Sequence, residues 1–241
     1  SARPPMKQVA TTARPDISVV IPCYNEEDNA AAICAATVDQ LEPLGVSFDI
    51  IFIDNDSTDR TVDIIRDICR RDPRVKLIVN SRNYGQMRSP TYGIYQARGR
   101  AVIGMCADFQ DPPALIPHFV ERWRAGVDII LGVRETEKTG PVLSVMRRLS
   151  YWLARNFGDY PVVPNATGFG LYAARVVDAT RRLEEPEPFF RAMLVETGYR
   201  LETISYPRAP RAAGKSKNNF FALFDFAMSA LAGSSKRLLR M

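Results

Sequence analysis

The 241-residue sequence is poor in the side chains that build metal and redox centres. It contains one histidine, His118, and four cysteines without C-x-x-C spacing: Cys23, Cys34, Cys69 and Cys106. Structural zinc sites need clustered cysteine and histidine, so this composition argues against one. The cysteines also show no disulfide framework, which favours a reducing, cytosolic location.

Two phosphate-binding signatures and long apolar runs are lacking as well. No G-x-G-x-x-G follows the first apolar run and no G-x-x-x-x-G-K-[ST] occurs, so a dinucleotide oxidoreductase or a P-loop enzyme is poorly supported. The polar start has no signal-peptide core, and we expect residues 1–15 to form a disordered tail. Asp225 interrupts the most apolar C-terminal stretch, so we expect the chain to lie on a membrane surface and not to cross it.

The net charge of +5 is concentrated near the C-terminal end. From Arg200 to Met241 there are eight lysines and arginines against two acidic residues. Such a segment suits phosphates or anionic lipid head groups, with a solvated basic tail as the alternative. Nucleic-acid binding is not expected, because the basic residues alternate with apolar ones and no recognition motif is present.

Short β-branched apolar runs alternate with helical segments through the first half of the chain. Predicted strands cover residues 17–21, 50–53, 75–79, 101–105 and 128–133; predicted helices cover 28–41 and 85–97, with one capped by Ser57 or Thr58 and one opened by Pro112 and Pro113. The alternation predicts an α/β fold with a Rossmann-like, mostly parallel sheet covered by helices on both faces. Beyond residue 140 the alternation weakens, and we expect a smaller, less regular portion there.

Carboxylates follow three of the predicted strands, within residues 22–27, 54–59 and 106–113. In parallel sheets the loops at the carboxyl ends of the strands carry the binding site. Clustered carboxylates repel one another unless a cation or hydrogen-bond donors meet them. A nucleoside diphosphate with a divalent metal supplies both, whereas helix capping explains only some of these acids, such as Asp59.

The segment from Ile17 to Asp59 (ISVVIPCYNEE…IIFIDNDSTD) resembles the nucleotide-binding half of family-2 GT-A glycosyltransferases. The stretches SRNYGQ (81–86) and ADFQDPP (107–113) resemble the branch that makes polyprenyl-phosphate sugars, the dolichol-phosphate-mannose-synthase-like enzymes. The resemblance covers nearly the whole chain from residue 16. It implies a GT-A catalytic domain over residues 16–217, a nucleotide diphosphate sugar as donor, inversion at the sugar, and Mg²⁺ or Mn²⁺ as cofactor.

Carried over by position, the resemblance implies ten residues that bind the nucleotide sugar. The first three border the base and ribose, the next two bind the nucleoside, the next two close over the donor, and the last three meet the diphosphate: Pro22, Tyr24, Glu26, Asp54, Ser57, Asn83, Gly85, Asp108, Gln110 and Arg208. Asp108 and Gln110, at the D-x-D motif of the family, are also the implied metal ligands.

Two positions depart from the family pattern. Cys106 stands where the motif usually begins with aspartate; it is either a soft metal ligand or, as we favour, a small hydrophobe. Asp108, Gln110, diphosphate oxygens and water would then complete a magnesium shell. The stretch Thr167–Tyr172 lacks the acid and arginine of the G-D-F-R pattern of many relatives, so it cannot supply a carboxylate base. It either shapes the acceptor pocket or forms a glycine-permitted tight strand.

The missing carboxylate favours a phosphate nucleophile, since a phosphomonoester is already anionic near neutral pH. Asp111 or another acid remains available as a base. The resemblance implies that Arg134 contacts the acceptor phosphate and that the basic loop 206–217 forms a lid. The predicted catalytic residues are therefore Asp108, Asp111, Arg134, Arg211 and Lys217.

Residues 218–241 are rich in phenylalanine and leucine and carry three basic residues near the end. This composition is typical of an amphipathic helix, which either lies in a membrane interface or packs on the main body. We expect an enzyme peripheral to the inner face of the plasma membrane, anchored by this segment or by a small membrane protein. It would transfer a hexose or N-acetylhexosamine, with UDP favoured over GDP, to polyprenyl phosphate. A glycan or lipid hydroxyl as acceptor, or a non-catalytic nucleotide-sugar-binding protein, are the alternatives.

Overall fold

The structure, a computed structural model, describes residues 14–135, 163–185 and 188–207. The predictions for Arg208, Arg211 and Lys217 and for the 218–241 segment lie outside these ranges, as does most of the predicted tail. Arg14 and Pro15, expected in that tail, belong to the ordered body: Arg14 Nε donates to the Arg98 carbonyl at 2.8 Å, and the Pro15 carbonyl accepts from the Arg100 N–H at 3.0 Å.

Seven strands in the described ranges form one sheet. They are β1 (Ile17–Cys23), β2 (Phe48–Asp54), β3 (Val75–Val79), β4 (Ala101–Gly104), β5 (Ile129–Arg134), β6 (Ala166–Ala173) and β7 (Leu201–Tyr206). Their order across the sheet is β3-β2-β1-β4-β6-β5-β7. Strand β6 runs antiparallel to β4 and β5, and every other pair is parallel.

Six α-helices of the same residues cover the sheet. They are α1 (Ala30–Leu41), α2 (Thr61–Arg71), α3 (Gly85–Gln96), α4 (Ile116–Arg124), α5 (Ala174–Arg182) and α6 (Phe190–Glu196). Short 3₁₀ turns follow α1 (Glu42–Leu44) and precede α4 (Pro113–Leu115). No helix in the described part of the chain is both long and apolar enough to span a membrane.

The sheet is buried on both faces, which explains the continuous apolar runs of its central strands. In β2, Ile50 and Phe52 pack on the side of α1, α2 and α4, while Ile51 and Ile53 pack on the side of α3, α5 and α6. Side chains that alternate along a strand thus feed two separate cores. This two-sided arrangement confirms the predicted fold class.

The five predicted strands and the helices at 28–41 and 85–97 are all present, with ends within two residues of those expected. Two predicted helix starts were wrong. Helix α2 begins at Thr61 with Arg60 as its N-cap residue, so neither Ser57 nor Thr58 caps it; the N–H of Thr61 donates to Asp59 Oδ1 at 3.0 Å. Pro113 opens only a 3₁₀ turn, and α4 begins at Ile116.

Beyond residue 163 the described chain adds two strands and two helices to the same body. The stretch Thr167–Tyr172 lies within β6, as the tight-strand alternative predicts. Gly170 is required there by close approach, because a Cβ at this position would lie 2.3 Å from the carbonyl oxygen of Ile130.

The strand order reverses direction between β1 and β4. At such a point the loops after the two strands diverge and leave a crevice at the carboxyl edge of the sheet. Because β6 is antiparallel, its first residues lie at this same edge. The predicted site residues in the loops after β1, β2, β4 and β5 therefore surround one crevice.

Candidate active site

The loops after β1 and β2 are bound to each other. The N–H of Asn25 donates to Ser57 Oγ at 2.9 Å, the N–H of Thr58 donates to Asn25 Oδ1 at 2.8 Å, and the N–H of Glu26 donates to Thr61 Oγ1 at 2.8 Å. Asn25 adopts a φ of 53°, a left-handed conformation that asparagine tolerates better than most residues. The hydroxyls of Ser57 and Thr58 thus join two loops and are not available as helix caps.

Asp54 ends β2 and lies at the floor of this double loop. Its side chain is fully buried, and Oδ2 accepts a hydrogen bond from the N–H of Ser57 at 3.0 Å. The other oxygen, Oδ1, is buried without a hydrogen-bond partner in the described part of the chain. An unsatisfied buried polar atom costs about 1–3 kcal/mol, more when it is charged. A ligand hydroxyl or base N–H would remove that cost, which fits the predicted nucleoside position.

Asn55 connects β2 to the start of α3 and was not among the predicted site residues. It is 7% exposed; Nδ2 donates to Asn83 Oδ1 at 2.9 Å, and Oδ1 accepts from the N–H of Tyr84 at 2.9 Å. Asn83 Oδ1 also accepts from the N–H of Gly85, the first residue of α3, at 2.8 Å, so Asn55 and Asn83 are linked next to the start of the helix. The only sequence signal for Asn55 was its place between two aspartates after a buried strand.

The loop after β4 carries the two predicted metal ligands. Asp108 is 6% exposed, and its Oδ1 accepts from the N–H of Gln110 at 3.2 Å. Phe109, between them, has a φ of 59°, so the loop turns sharply and brings the two residues close. They present oxygen donors of the kind that Mg²⁺ and Mn²⁺ prefer. In the described ranges no three His, Cys, Asp or Glu side chains gather into a metal cluster. The protein therefore offers a partial shell, which fits a cation that is also held by phosphate oxygens and water.

Cys106 has the environment of a neutral thiol. Burial raises its pKa well above the usual value, and the negative charges of Asp111 and Asp108 raise it further. This supports the interpretation of Cys106 as a small hydrophobe. Its backbone contributes to the site, since the N–H of Cys106 donates to Asp111 Oδ2 at 3.1 Å.

Asp111 lies at the centre of a second buried network. It is fully buried, and its Oδ1 accepts from the hydroxyl of Tyr206 at 2.8 Å and from Arg134 Nη2 at 3.0 Å. With Oδ2 bound by Cys106, both oxygens are occupied, which favours a positioning role over that of a base. Burial, and then the charge of Asp111, raise the pKa of Tyr206 to about 12, so this phenol is a neutral donor near pH 7. Tyr206 was predicted only as the first residue of the basic loop 206–217 and not as a site residue, because the arginines and lysines carried that prediction; the structure places it at the end of β7.

By their place in the fold the predicted residues form three groups, and all lie at or just after strand ends at one edge of the sheet. The groups are the β1–β2 double loop with Pro22, Tyr24, Glu26, Asp54 and Ser57; the start of α3 with Asn83 and Gly85; and the β4–β5 ends with Asp108, Gln110, Asp111 and Arg134. The first group lies at the ends of β1 and β2 and the third at the ends of β4 and β5, on the two sides of the point where the strand order reverses. A ligand that meets both would have to span the crevice between β1 and β4.

The model of the family described as glycosyl transferase family 2 matches residues 18–179. The chain is a family 2 glycosyltransferase. An uncharacterised glycosyltransferase from Synechocystis is 33% identical over 217 residues, 90% of this chain and 68% of the relative. A prophage bactoprenol glucosyl transferase homologue from Escherichia coli and the bactoprenol glucosyl transferase of Shigella phage SfV are each 32% identical over 229 residues, 93% of this chain and 74% of each relative.

Solved structures of other glycosyltransferases share the fold of this family 2 enzyme. Glucosyl-3-phosphoglycerate synthase from Mycobacterium tuberculosis, in complex with Mn²⁺, UDP and phosphoglyceric acid, superposes with a TM-score of 0.60 at 18% identity, covering 91% of this chain and 77% of that one. A mannosyltransferase from Pyrobaculum calidifontis, in complex with GDP-mannose and Mn²⁺, gives 0.55 at 18% identity, covering 81% and 56%. These likenesses confirm the predicted GT-A-like α/β fold.

Proposed function

We propose that this glycosyltransferase transfers a hexose from a nucleotide diphosphate sugar to polyprenyl phosphate, with inversion, at the cytoplasmic face of a membrane. The observation that carries the acceptor assignment is the guanidinium of Arg134. It is held by Asp111 and Tyr206 at the carboxyl edge of the sheet, and three of its five N–H groups have no partner among the described residues. A fixed guanidinium fork suits the oxygens of a phosphate.

The similarity to bactoprenol glucosyl transferases over 93% of the chain supports the same acceptor class. It also favours glucose, with an N-acetylhexosamine as the next choice. We place the donor nucleotide, UDP before GDP, in the β1–β2 double loop, where the free Oδ1 of Asp54 would accept a hydrogen bond from the nucleoside. Asn83 and Gly85 would border it from the start of α3.

Asp108 and Gln110 would hold Mg²⁺ or Mn²⁺ against the donor diphosphate. When bound, the cation offsets the charge that develops on the departing diphosphate. Both superposed relatives were crystallised with Mn²⁺, which is consistent with a divalent cation in this fold. Because the protein would contribute only these two side chains to the cation, the affinity for the metal should depend on the bound nucleotide.

The proposed reaction requires little proton transfer by the protein. An oxygen of the acceptor phosphate attacks the anomeric carbon from the face opposite the diphosphate; the new carbon–oxygen bond forms as the bond to the diphosphate breaks, and the nucleoside diphosphate departs. Because the phosphate is already ionised, no general base is needed. Arg134 would orient the nucleophile, a contribution of position and charge. Asp111 is buried and both its carboxylate oxygens accept hydrogen bonds, which agrees with a reaction in which it does not act as a base.

A labelled-donor assay tests the proposal. The protein is incubated with polyprenyl phosphate in detergent micelles, Mg²⁺ or Mn²⁺, and separate labelled UDP- and GDP-sugars. Label extracted into organic solvent, with inverted anomeric configuration by NMR, is the expected result. The Arg134→Gln variant should lose lipid product, whereas Arg122→Gln, a change at an exposed position of α4, should not. Label on a hydroxyl-bearing glycan or lipid, or only free sugar, would overturn the polyprenyl phosphate assignment.

A polyprenyl acceptor places the reaction at a membrane surface. We propose that residues 218–241, or a small membrane protein, hold the enzyme there, since this segment combines apolar and basic residues. Sedimentation with vesicles containing anionic lipid, compared with neutral vesicles, measures this attachment. Equal and negligible binding to both would point to a protein anchor.

A further inference from the structure

The ends of β5 and β7 and the start of β6 meet in a hydrogen-bond network around the hydroxyl of Tyr206. This oxygen lies 2.8 Å from Asp111 Oδ1, 3.3 Å from Arg134 Nε and 3.3 Å from Thr167 Oγ1. A phenol has one proton to donate and two lone pairs to accept with. Donation to Asp111 and acceptance from Arg134 and Thr167 therefore satisfy it completely.

The ring of Tyr206 is held as firmly as its hydroxyl. It is 2% exposed, and its edge-to-face contact with Phe169 has a centroid distance of 5.6 Å. A Cβ at Gly132 would lie 2.9 Å from both the Phe169 and the Tyr206 rings, so only glycine leaves room for this pair. The position of the hydroxyl is thus set by packing that does not involve the substrate.

This arrangement fixes the plane of the Arg134 guanidinium. Nη2 donates to Asp111 and Nε to Tyr206, so two of its edges are anchored to groups that cannot move independently. The Arg134 side chain keeps 21% of its surface exposed, whereas Asp111 keeps 1%. With one anchor removed, the guanidinium could rotate about the remaining bond and its exposed N–H groups would lose their direction.

The same network reaches the donor side of the crevice. Asp111 Oδ2 accepts from the N–H of Cys106, two residues before Asp108 in the loop that carries the predicted metal ligands. The Tyr206 carbonyl accepts from the N–H of Glu135 at 2.9 Å, which locks the end of β7 to the end of β5. The chain then continues from Tyr206 into the basic segment 208–217.

We propose that Tyr206 is a positioning residue that orients Arg134 towards the acceptor phosphate and keeps it in register with the loop that holds the donor diphosphate. It acts through Arg134 and Asp111 and does not itself touch the substrate. The proposal rests on the proposed function, because it assumes a phosphate-bearing acceptor at Arg134.

The test is Tyr206→Phe, with Tyr172→Phe as the matched control. Tyr172 is equally buried, and its hydroxyl donates to the carbonyl of Gly168, outside the hydrogen bonds of Asp111. Both variants lose one buried hydroxyl, so similar losses of thermal stability are expected. In Tyr206→Phe the KM for polyprenyl phosphate should rise about 10-fold, which is the loss of affinity expected when one charge-assisted hydrogen bond to the phosphate is weakened. The KM for the donor should stay within about two-fold of that of the wild type. Tyr172→Phe should leave both KM values near wild type.

Other outcomes separate this proposal from the proposed function. If wild type glycosylates polyprenyl phosphate and the two variants behave alike, Tyr206 is merely structural and the proposal is overturned. If wild type makes no lipid product, calorimetric binding of dodecyl phosphate still decides: weaker binding in Tyr206→Phe alone supports the positioning role, and equal or absent binding overturns it. Should Tyr206→Phe not fold, Asp111→Asn, which leaves Arg134 without its counter-charge, must raise the acceptor KM in the same way.

Discussion

Asp54 has a buried carboxyl oxygen, Oδ1, that lacks a hydrogen-bond partner in the described part of the chain. Replacing this one residue therefore separates its role in stability from its role in binding. Asp54→Asn keeps an acceptor for the N–H of Ser57 and replaces a buried charge with a neutral amide. We expect the free energy of unfolding to stay level or rise by up to about 1 kcal/mol, while UDP binds at least 10-fold more weakly. Equilibrium denaturation and calorimetry measure the two effects. A loss of stability together with unchanged UDP affinity would show that Asp54 serves the fold alone.

Asn55 offers the complementary case of a residue that holds others in place. In Asn55→Asp, a carboxylate oxygen would face Asn83 Oδ1, where an N–H now donates. The start of α3 should loosen, and the KM for the nucleotide sugar should rise about 5- to 10-fold, the effect of one lost hydrogen bond. Gln96→Glu, the same amide-to-acid change on the exposed end of α3, is the control. Equal KM values in the two variants would contradict a link from β2 to the donor site.

At the scale of elements, strand β6 depends on the absence of a side chain. In Gly170→Ala the new Cβ would lie 2.3 Å from the Ile130 carbonyl oxygen, and backbone cannot move aside as a side chain can. We expect a loss of about 3 kcal/mol or no folded protein. Gly45→Ala, at a left-handed turn with open space around it, should cost only about 1 kcal/mol. Chemical denaturation of both proteins measures the difference, and equal costs would mean that β4, β6 and β5 can separate locally.

The elements that the sequence predicted well are those whose signal is local. Central strands such as β2 read as apolar runs because both their faces are buried. The start of α2 was predicted wrongly because the hydroxyls of Ser57 and Thr58 bond across to Asn25, a contact between distant parts of the chain. The position of β6 was likewise not predictable, since Gly170 is needed for close approach to the backbone of β5 and follows no periodicity in the sequence.

For the molecule as a whole, binding of the donor nucleotide should raise the free energy of unfolding. If the crevice binds UDP with a divalent cation, UDP at 100 times its Kd should add about 2.7 kcal/mol, or roughly 5–10 °C in Tm for a chain of this size. Thermal denaturation with UDP and Mn²⁺, with each alone, and with the Asp108→Asn variant measures this. The shift should need both ligands together and shrink in the variant. An equal rise in Tm with UDP alone would show that the cation takes no part in donor binding.

The sequence predicted where the site residues lie in the fold better than it predicted which residues they contact. Strand ends and their acidic loops placed Asp54, Asp108 and Arg134 at one edge of the sheet, as found. The partners that hold them were not predictable, because Tyr206 and Asp111 are 95 positions apart and meet only through the order of strands in the sheet. The sequence thus shows which side chains carry charge to the crevice, and only the fold shows what fixes them.

The direction of β6 has a consequence for how such enzymes can diversify. Because β6 runs against its neighbours, the chain leaves the sheet after Arg134 and returns before Ala166 at the same edge, where the N–H of Arg134 donates to the Asn165 carbonyl at 3.2 Å. The described chain therefore stops at Glu135 and resumes at Val163 next to the same pair of strand ends, which the β5–β6 pairing holds side by side. Because this pairing does not depend on how many residues lie between the two ends, the connection can differ in length between relatives while every strand keeps its neighbours.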